Sequence, residues 1–225
     1  MNYEVLFLDA DGTLFDFDKA EKNALENTYR FLGIPYDHCH LKLYKEINQK
    51  AWQDYETGKI TMHELKIGRF KKLFNDQDMD YDQINTMYLN FLGEGNFEIE
   101  GASEVCKELS KKCRLVIVTN GTASVQEKRF NYSSIIQYIE TMVISENTGY
   151  KKPEAAIFDY TLKKIGHKDK SSVLIVGDSL TSDIQGGINA GIDTCWYNSK
   201  EVPNKYQIMP NYEIVKLDEL LTLLL

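Results

Sequence analysis

Short, almost continuously hydrophobic runs alternate with longer amphipathic stretches over most of the chain. Strands covered by helices on both faces are apolar at nearly every position, so five such runs predict buried parallel strands. They span residues 4–9, 114–120, 142–145, 172–178 and 193–198. Apolar residues recur at helical spacing over residues 102–112, 153–166 and 181–191. This alternation predicts a doubly wound α/β fold with a mainly parallel, Rossmann-like sheet.

Proline and glycine residues mark the ends of these predicted helices. Pro153 suits the first turn of a helix, and Gly166 and Gly191 stand where helix C-terminal glycines are expected. The GGINAG segment lies late in a predicted helix rather than directly after a strand. We therefore interpret its glycines as sites of close packing and not as a phosphate-binding loop.

One long region breaks the alternation of strands and helices. Its periodicity is helical throughout and predicts four helices, at residues 19–33, 41–58, 61–74 and 81–93. We expect an α/β core domain formed by residues 1–16 and 96–225, with a helical cap domain of residues 17–95 inserted after the first strand. The closing LDELLTLLL segment predicts a terminal helix that packs its leucines on the core.

The charge of the chain restricts the classes of partner. Its 225 residues carry a formal net charge of -8, with 27% charged and 43% hydrophobic residues. A chain of this charge repels polyanions on average, which argues against nucleic acid and anionic membranes as partners. A small anionic substrate is compatible with it, provided that a cation or a local basic group meets the anion.

The cysteines and the apolar segments bear on the compartment. The four cysteines contain no CxxC pair and no metal-site spacing, so we expect reduced thiols in a cytoplasmic protein. Glu4, Asp9 and Asp11 interrupt the N-terminus too early for a signal peptide. The apolar C-terminus is shorter than the roughly 20 residues that a membrane span needs.

Polar side chains stand where the predicted strands end. In an open α/β sheet, ligands bind beyond the carboxyl ends of the strands. Three strand ends and one helix start bring chemistry-bearing residues to that edge: Asp9 and Asp11, Thr119 and Asn120, Asp178 and Asp183, and Lys152. The sequence therefore predicts one site that combines carboxylates, a hydroxyl and an ammonium.

Carboxylates gathered at one point need a cation. Two of them about 4 Å apart repel by roughly 4 kcal/mol at an effective dielectric near 20. Oxygen ligands without histidine or thiol select a hard ion, which predicts Mg²⁺ as the cofactor. A lysine and Mg²⁺ together can hold a phosphate against a carboxylate nucleophile, as in aspartyl-phosphate chemistry.

Four segments, DADGTL, TNG, KKPE and GDSLTSD, resemble in order the four motifs of the haloacid dehalogenase-like hydrolase superfamily. The resemblance covers most of the chain, and the helical insertion falls where that superfamily places its C1 cap. It implies that Asp9 is the nucleophile that forms a phosphoaspartate. It also implies that Asp11 is the general acid, which protonates the leaving alcohol and then activates water.

The same resemblance implies roles for the other strand-end residues. Thr119 and Asn120 would hydrogen-bond the transferring phosphoryl group, and Lys152 would orient the nucleophile and bind phosphate. The implied Mg²⁺ ligands are Asp9, the main-chain carbonyl of Asp11, and Asp178, with Asp183 acting through water or from outside the first shell.

These features predict a Mg²⁺-dependent phosphomonoesterase. The segments DADGTLFDFD and YETGKIT with LKIGRF look most similar to the cytoplasmic pyrimidine 5′-nucleotidases of bacteria, which hydrolyse nucleoside monophosphates. The expected partner is thus a small phosphorylated metabolite, with no nucleic acid or membrane partner, and the chain is expected to be a monomer or a homodimer.

Several other functions share parts of this pattern. A sugar-phosphate phosphatase or a β-phosphoglucomutase-like mutase would use every catalytic residue named above. A 2-haloacid dehalogenase would lack the second aspartate of the first motif, and Asp11 argues against it. A phosphonatase would need a Schiff-base lysine from the cap, for which candidates exist: Lys59, Lys66, Lys71 and Lys72. A receiver-like signalling domain would be much shorter and would lack the helical insertion.

Polar and aromatic residues of the insertion have ordinary interpretations. The HCH segment at 38–40 is a poor metal site, since alternate residues on a helix point apart. Arg69 is interpreted as a surface residue, with contact to a substrate as the alternative. The aromatic side chains are expected to form mostly the interior of the cap: Tyr29, Phe31, Trp52, Tyr55, Phe70 and Tyr88.

Overall fold

A computed structural model of the chain describes residues 3–75 and 77–224. They form two compact units. The first, called here the sheet unit, contains the residues up to Phe17 and those from Asn96 onward. The second, the helical unit, is Asp18–Gly95. The first strand precedes the helical unit in the chain, and the other strands follow it.

The sheet unit is built on six parallel strands. They are β1 (Val5–Leu8), β2 (Arg114–Thr119), β3 (Ile139–Ile144), β4 (Val173–Gly177), β5 (Asp193–Tyr197) and β6 (Tyr212–Ile214). Their order across the sheet is β3-β2-β1-β4-β5-β6. This confirms the predicted α/β class with its parallel, Rossmann-like sheet. The edge strand β6 was not predicted, because three residues are too few to show a period.

Four helices make up the helical unit, as the periodicity predicts. They are α1 (Phe17–Leu32), α2 (His38–Glu56), α3 (Met62–Leu73) and α4 (Tyr81–Glu94). Three of them begin at a side-chain cap, with Asp37, Thr61 and Asp80 each accepting a backbone N–H of the first turn. Such caps satisfy N–H groups that have no partner inside the helix.

The described residues of the sheet unit form six further α-helices. They are α5 (Ala102–Leu109), α6 (Ala123–Asn131), α7 (Ser145–Thr148), α8 (Ala155–Ile165), α9 (Gln185–Ala190) and α10 (Glu219–Leu224). The predicted glycine ends of α8 and α9 are confirmed, since Gly166 and Gly191 are left-handed with φ of 68° and 71°. Within the described residues, no helix combines the length and the apolar character that a membrane crossing requires.

Helices α6 and α7 were not predicted, and two expectations about the other helices need correction. Pro153 lies two residues before the start of α8, because the chain at Lys152 is bound to Asn120 instead of entering the helix. The predicted helix over 181–191 begins with a π-helical turn, Leu180–Ile184, a geometry found at functional sites.

Apolar side chains cover both faces of the sheet. Alternate residues of the central strands point to opposite sides, so Leu6 and Leu8 join one cluster while Val5 and Phe7 join the other. Gly187 of α9 confirms the close-packing interpretation, because a Cβ there would lie 2.5 Å from side-chain atoms of Ile175 and Thr194. The terminal helix α10 buries Leu220 in the first cluster, and residue 225 lies outside the described residues.

All four cysteines are unpaired. Cys39 is exposed, whereas Cys106, Cys113 and Cys195 are buried. Burial raises the pKa of the Cys106 and Cys195 thiols to about 12, which keeps them protonated at neutral pH.

Candidate active site

The register of the three central strands aligns the predicted residues at one edge. Leu8, the last residue of β1, pairs with Ile117 on one side and with Val176 on the other. Asp9 follows directly, and its backbone N–H donates to the carbonyl of Val176 at 2.9 Å. Asp178 comes two residues after Val176, so the two aspartates leave adjacent strands side by side.

Lys152 is the cation at the centre of this edge. Its buried Nζ donates to Asp9 Oδ1 at 2.5 Å, to Asp183 Oδ1 at 2.6 Å and to the carbonyl of Val118 at 2.7 Å. All three ammonium protons therefore have an acceptor. Burial alone would lower the pKa of Lys152, but the carboxylates of Asp183 and Asp9 outweigh burial and raise it.

Three carboxylates form a cluster that suits a divalent cation. Oxygens of Asp9, Asp178 and Asp183 lie within 4.8 Å of one another. Burial raises the pKa of Asp9, and the neighbouring carboxylates raise the pKa values of both Asp9 and Asp178, while Lys152 opposes these shifts. Three carboxylates against one ammonium leave an excess of two negative charges. Oxygen-only donors with this charge excess fit Mg²⁺.

Some of the carboxylate oxygens bind Lys152, and others can bind a metal ion. Asp183 uses both oxygens within the protein, one for Lys152 and the other for the backbone N–H of Ser179 at 3.0 Å. Asp9 gives one oxygen to Lys152. Asp178 is exposed. Asp9 and Asp178 thus have carboxylate oxygens to offer a cation, whereas Asp183 chiefly holds the lysine.

Gly12 allows the loop after β1 to approach Asp178. Its φ is 85°, a left-handed value that favours glycine, and a Cβ there would lie 2.7 Å from Asp178 Cγ. Backbone hydrogen bonds close the loop, from Leu14 and Phe15 to the carbonyl of Ala10 and from Gly12 to the carbonyl of Phe15. The DADGTL segment is therefore a tight turn built against the end of β4.

Thr119 and Asn120 end β2 beside the lysine. The Thr119 hydroxyl accepts the backbone N–H of Gly121 at 3.0 Å, which leaves its own proton to donate. The Asn120 side chain accepts the backbone N–H of Lys152 and donates to its carbonyl, both at 2.8 Å. The structure thus gives the Asn120 amide a partner other than the phosphoryl group expected for it, and that partner is the backbone of Lys152.

Two side chains of helix α6 bind the Asp11 carboxylate. Gln126 Nε2 donates to its Oδ2 at 2.5 Å, and the buried guanidinium of Arg129 forms an ion pair with its Oδ1. The Asp11 carboxylate is outside the three-carboxylate cluster. Sequence analysis missed both Gln126 and Arg129. Their signal is two polar residues on the same face of α6 as the buried Val125 and Phe130.

Arg69 of the helical unit is buried, and its predicted surface position is wrong. Its guanidinium donates to Asn48 at 3.2 Å and to Asn85 at 2.9 Å, and lies 4.7 Å from the ring centre of Tyr88. Asn48 in turn donates to Glu21 at 2.8 Å. Each of the four helices contributes one polar residue to this network, and both terminal nitrogens of the buried guanidinium have an acceptor.

Most of the aromatic side chains predicted for the interior of the helical unit are buried or partly buried, and the HCH segment belongs to a helix cap. Tyr29, Phe70 and Tyr88 are buried as expected, and Trp52 and Tyr55 are partly buried, but Phe31 is exposed. His40 Nδ1 accepts the backbone N–H of Asp37 as part of the cap of α2.

A parallel sheet whose carboxyl edge carries a lysine and three carboxylates, with a loop aspartate beside them, fits a hydrolase that works through a carboxylate nucleophile. Comparison with known families agrees with this assignment. The model of the haloacid dehalogenase-like hydrolase family matches residues 5–197. The chain belongs to that family and is a hydrolase.

Individual relatives cover nearly the whole chain. HAD-hydrolase YfnB of Bacillus subtilis is 39% identical over 97% of this chain and 94% of its own length. Pyrimidine 5′-nucleotidase YjjG of Escherichia coli is 34% identical, covering 100% and 99%, and pyrimidine 5′-nucleotidase PynA of Streptococcus pneumoniae is 35% identical, covering 98% and 94%. A crystal structure of YfnB bound to magnesium superimposes with a TM-score of 0.95 over 100% of this chain and 99% of that one, at 38% identity.

Proposed function

We propose that the protein is a Mg²⁺-dependent phosphomonoesterase that acts through a phosphoaspartate on Asp9 and hydrolyses pyrimidine nucleoside 5′-monophosphates. The observation that carries the chemistry is the buried Lys152, which binds Asp9 and Asp183 at the carboxyl edge of the sheet. An ammonium in this place orients a carboxylate nucleophile and attracts a phosphate dianion.

The first half of the proposed reaction transfers the phosphoryl group to the protein. A carboxylate oxygen of Asp9 forms a bond to phosphorus, and the bond from phosphorus to the ester oxygen breaks. The electron pair of that bond goes to the ester oxygen, which takes the proton of the Asp11 carboxylic acid. The nucleoside leaves as an alcohol, with Asp9 phosphorylated and Asp11 ionised.

The second half releases inorganic phosphate. Water attacks phosphorus and gives a proton to the ionised Asp11, so this residue returns to its acid form. The bond from phosphorus to Asp9 breaks, and its electrons restore the carboxylate. The Thr119 hydroxyl would donate a hydrogen bond to a phosphoryl oxygen through both halves, and the positive charge of the Lys152 ammonium would attract the phosphoryl group.

Asp9, Asp178 and the main-chain carbonyl of Asp11 are the proposed ligands of Mg²⁺, with Asp183 in support through Lys152. When bound, the ion would neutralise charge on the phosphoryl oxygens and on the nucleophile.

Two of the relatives support the choice of substrate. YjjG and PynA are named pyrimidine 5′-nucleotidases, and this chain aligns with nearly the full length of each. The expected partner is therefore a nucleoside monophosphate. The four unpaired cysteines support a reducing compartment, and we propose a cytoplasmic location.

The test is the release of inorganic phosphate from a panel of esters, with Mg²⁺ and with a chelator. The panel contains UMP, dUMP, dTMP, purine monophosphates and sugar phosphates. Release that requires the metal and favours pyrimidine monophosphates supports the proposal, and Asp9→Asn should abolish it. Release spread evenly over sugar phosphates would overturn the substrate class, and release without metal would overturn the mechanism.

A further inference from the structure

Two side chains of helix α6 bind both oxygens of the Asp11 carboxylate. Gln126 Nε2 donates to Oδ2 at 2.5 Å, and Arg129 pairs with Oδ1. Gln126 and Arg129 are three residues apart, which places them on the same face of the helix. Both are fully buried, whereas Asp11 is partly exposed. The partly exposed Asp11 carboxylate is therefore bound by two donors that are themselves buried.

Packing fixes the position of each donor. The Arg129 guanidinium lies 5.3 Å from the ring centre of Phe15, and that ring meets Phe130 edge-on at 4.8 Å. The Gln126 side chain passes over Gly121, where a Cβ would lie 3.0 Å from Gln126 Cδ. A side chain at position 121 would therefore displace the amide, so this glycine leaves room for the contact.

We propose that Gln126 and Arg129 are positioning residues that orient Asp11 for proton transfer to the leaving group. The inference rests on the proposed function, because it assigns to these residues an effect on one step of that reaction. Both residues bind the Asp11 carboxylate directly. We therefore expect their effect on the reaction to pass through Asp11.

The proposed role of Gln126 and Arg129 predicts different effects on two kinds of substrate. A nucleoside leaves as a strongly basic alkoxide unless Asp11 protonates it, whereas p-nitrophenolate is a stable anion that leaves without a proton. The ratio kcat/KM covers the steps up to departure of the leaving group and excludes hydrolysis of the phosphoenzyme. Loss of the orientation of Asp11 should therefore lower kcat/KM for UMP much more than for p-nitrophenyl phosphate.

The experiment compares kcat/KM for these two esters in Arg129→Met, Arg129→Lys and Gln126→Ala. General acid catalysis contributes typically about 10²–10⁴-fold, so Arg129→Met should lose about 10–100-fold on UMP and less than about threefold on p-nitrophenyl phosphate. Arg129→Lys should recover part of the loss on UMP. The control is Arg114→Met, since Arg114 pairs with Glu140 through two 2.6 Å hydrogen bonds on the surface of the same unit.

Each outcome decides the proposal. Equal losses on both esters would show a general structural role and overturn it, as would unchanged or faster turnover of UMP. If Arg129→Met does not fold, Gln126→Ala carries the decision, because it removes the other donor to Asp11. Failure of the proposed function is distinct, since the unaltered protein would then release phosphate from neither ester.

Discussion

The side chain of Asn120 and the backbone of Lys152 exchange two hydrogen bonds, one in each direction and both 2.8 Å long. The pair fixes the chain on either side of the Lys152 Cα, from which the side chain reaches Asp9 and Asp183. A residue at the end of β2 thereby positions a cation that lies 32 residues further along the chain.

Replacing Asn120 should cost both stability and activity. Asn120→Ala leaves a buried N–H and a buried carbonyl of Lys152 without their partner, at about 1–3 kcal/mol for each group. Because the ammonium then loses its fixed position, we expect phosphate release to fall at least about tenfold. Urea unfolding and kcat for UMP measure the two effects.

A second asparagine offers a matched control. Asn211 accepts the backbone N–H of Thr194 at 2.9 Å, at the opposite end of β5 from the site. Asn211→Ala should lower the free energy of unfolding and leave kcat unchanged. Wild-type kcat in Asn120→Ala, despite a loss of stability, would contradict the role given to the asparagine.

Metal binding should stabilise the protein through Asp178. At a Mg²⁺ concentration about 100 times Kd, the free energy of unfolding should rise by about 2.7 kcal/mol, which corresponds to roughly 5–10 °C in Tm. Asp178→Asn should remove this rise, and in chelator it should be more stable than the wild type, since it relieves repulsion from Asp9 and Asp183. Calorimetry with Mg²⁺ and with chelator measures both.

The control for this substitution is Asp159→Asn. Asp159 pairs with Lys170 at 2.6 Å on the surface of the sheet unit, so its loss should leave the shift with Mg²⁺ intact. A full Mg²⁺ shift in Asp178→Asn would remove this residue from the ligand set.

Two of the left-handed glycines, Gly12 and Gly166, allow the effect of backbone strain to be distinguished from the effect of a steric clash. Their φ values are 85° and 68°, so alanine at either position should cost about 1–2 kcal/mol for the backbone alone. Nothing lies within 4 Å of a Cβ at Gly166, whereas a Cβ at Gly12 would overlap the Asp178 carboxylate.

We therefore expect Gly166→Ala to lose only stability and to keep its response to Mg²⁺. Gly12→Ala should lose more stability and should also bind Mg²⁺ more weakly, because Asp178 must move. Titration calorimetry with Mg²⁺ compares the two, and equal affinities would show that the loop does not need this close approach.

The buried Glu21 should make stability depend on pH. Burial raises its pKa from 4.5 to about 7, although Asn48, Lys45 and Arg69 oppose the shift. The folded protein then binds the proton more tightly than the unfolded chain. The free energy of unfolding should consequently fall as pH rises from about 4.5 to about 7, and this contribution should stay constant above that.

Glu21→Gln keeps an acceptor for Asn48 and removes the titration. Relative to the wild type, it should gain on the order of 3 kcal/mol between pH 4 and pH 8, measured by urea unfolding. Glu108→Gln is the control, because Lys111 lowers the pKa of Glu108 and any pH slope has the opposite sign. A difference between wild type and Glu21→Gln that does not change with pH would show that the carboxyl is not held protonated.

The site residues that could be predicted from the hydrophobic pattern are those at or directly after the end of a strand. Asp9, Thr119 and Asp178 follow apolar runs, and a parallel sheet brings the carboxyl ends of its strands to one edge. Lys152 could be predicted from its sequence motif but not from the hydrophobic pattern. The order of the strands and their register were not predicted, because they depend on contacts between segments that are distant in the chain.

The residues that were missed or misplaced are polar residues on the buried stripe of a helix. Arg69 lies four residues after Leu65 and four before Leu73, which are both buried. Gln126 and Arg129 likewise lie between the buried Val125 and Phe130 on the buried face of α6. A pattern of hydrophobicity assigns such residues to the surface. Only the hydrogen-bond partners on other elements, unknown from a single chain segment, explain why they are inside.

The two chain segments that flank the helical unit lie side by side in the sheet unit. Asp16 donates its backbone N–H to the carbonyl of Phe97 at 2.8 Å, and Phe15 forms an antiparallel bridge with Glu98. Hydrogen bonds within the sheet unit thus hold the two ends of the insertion together. Over evolutionary time, the 78 residues from Asp18 to Gly95 could be lengthened, shortened or exchanged as a cassette without moving Asp9. A chain of this kind could change the substrate that it accepts while its catalytic residues stay the same.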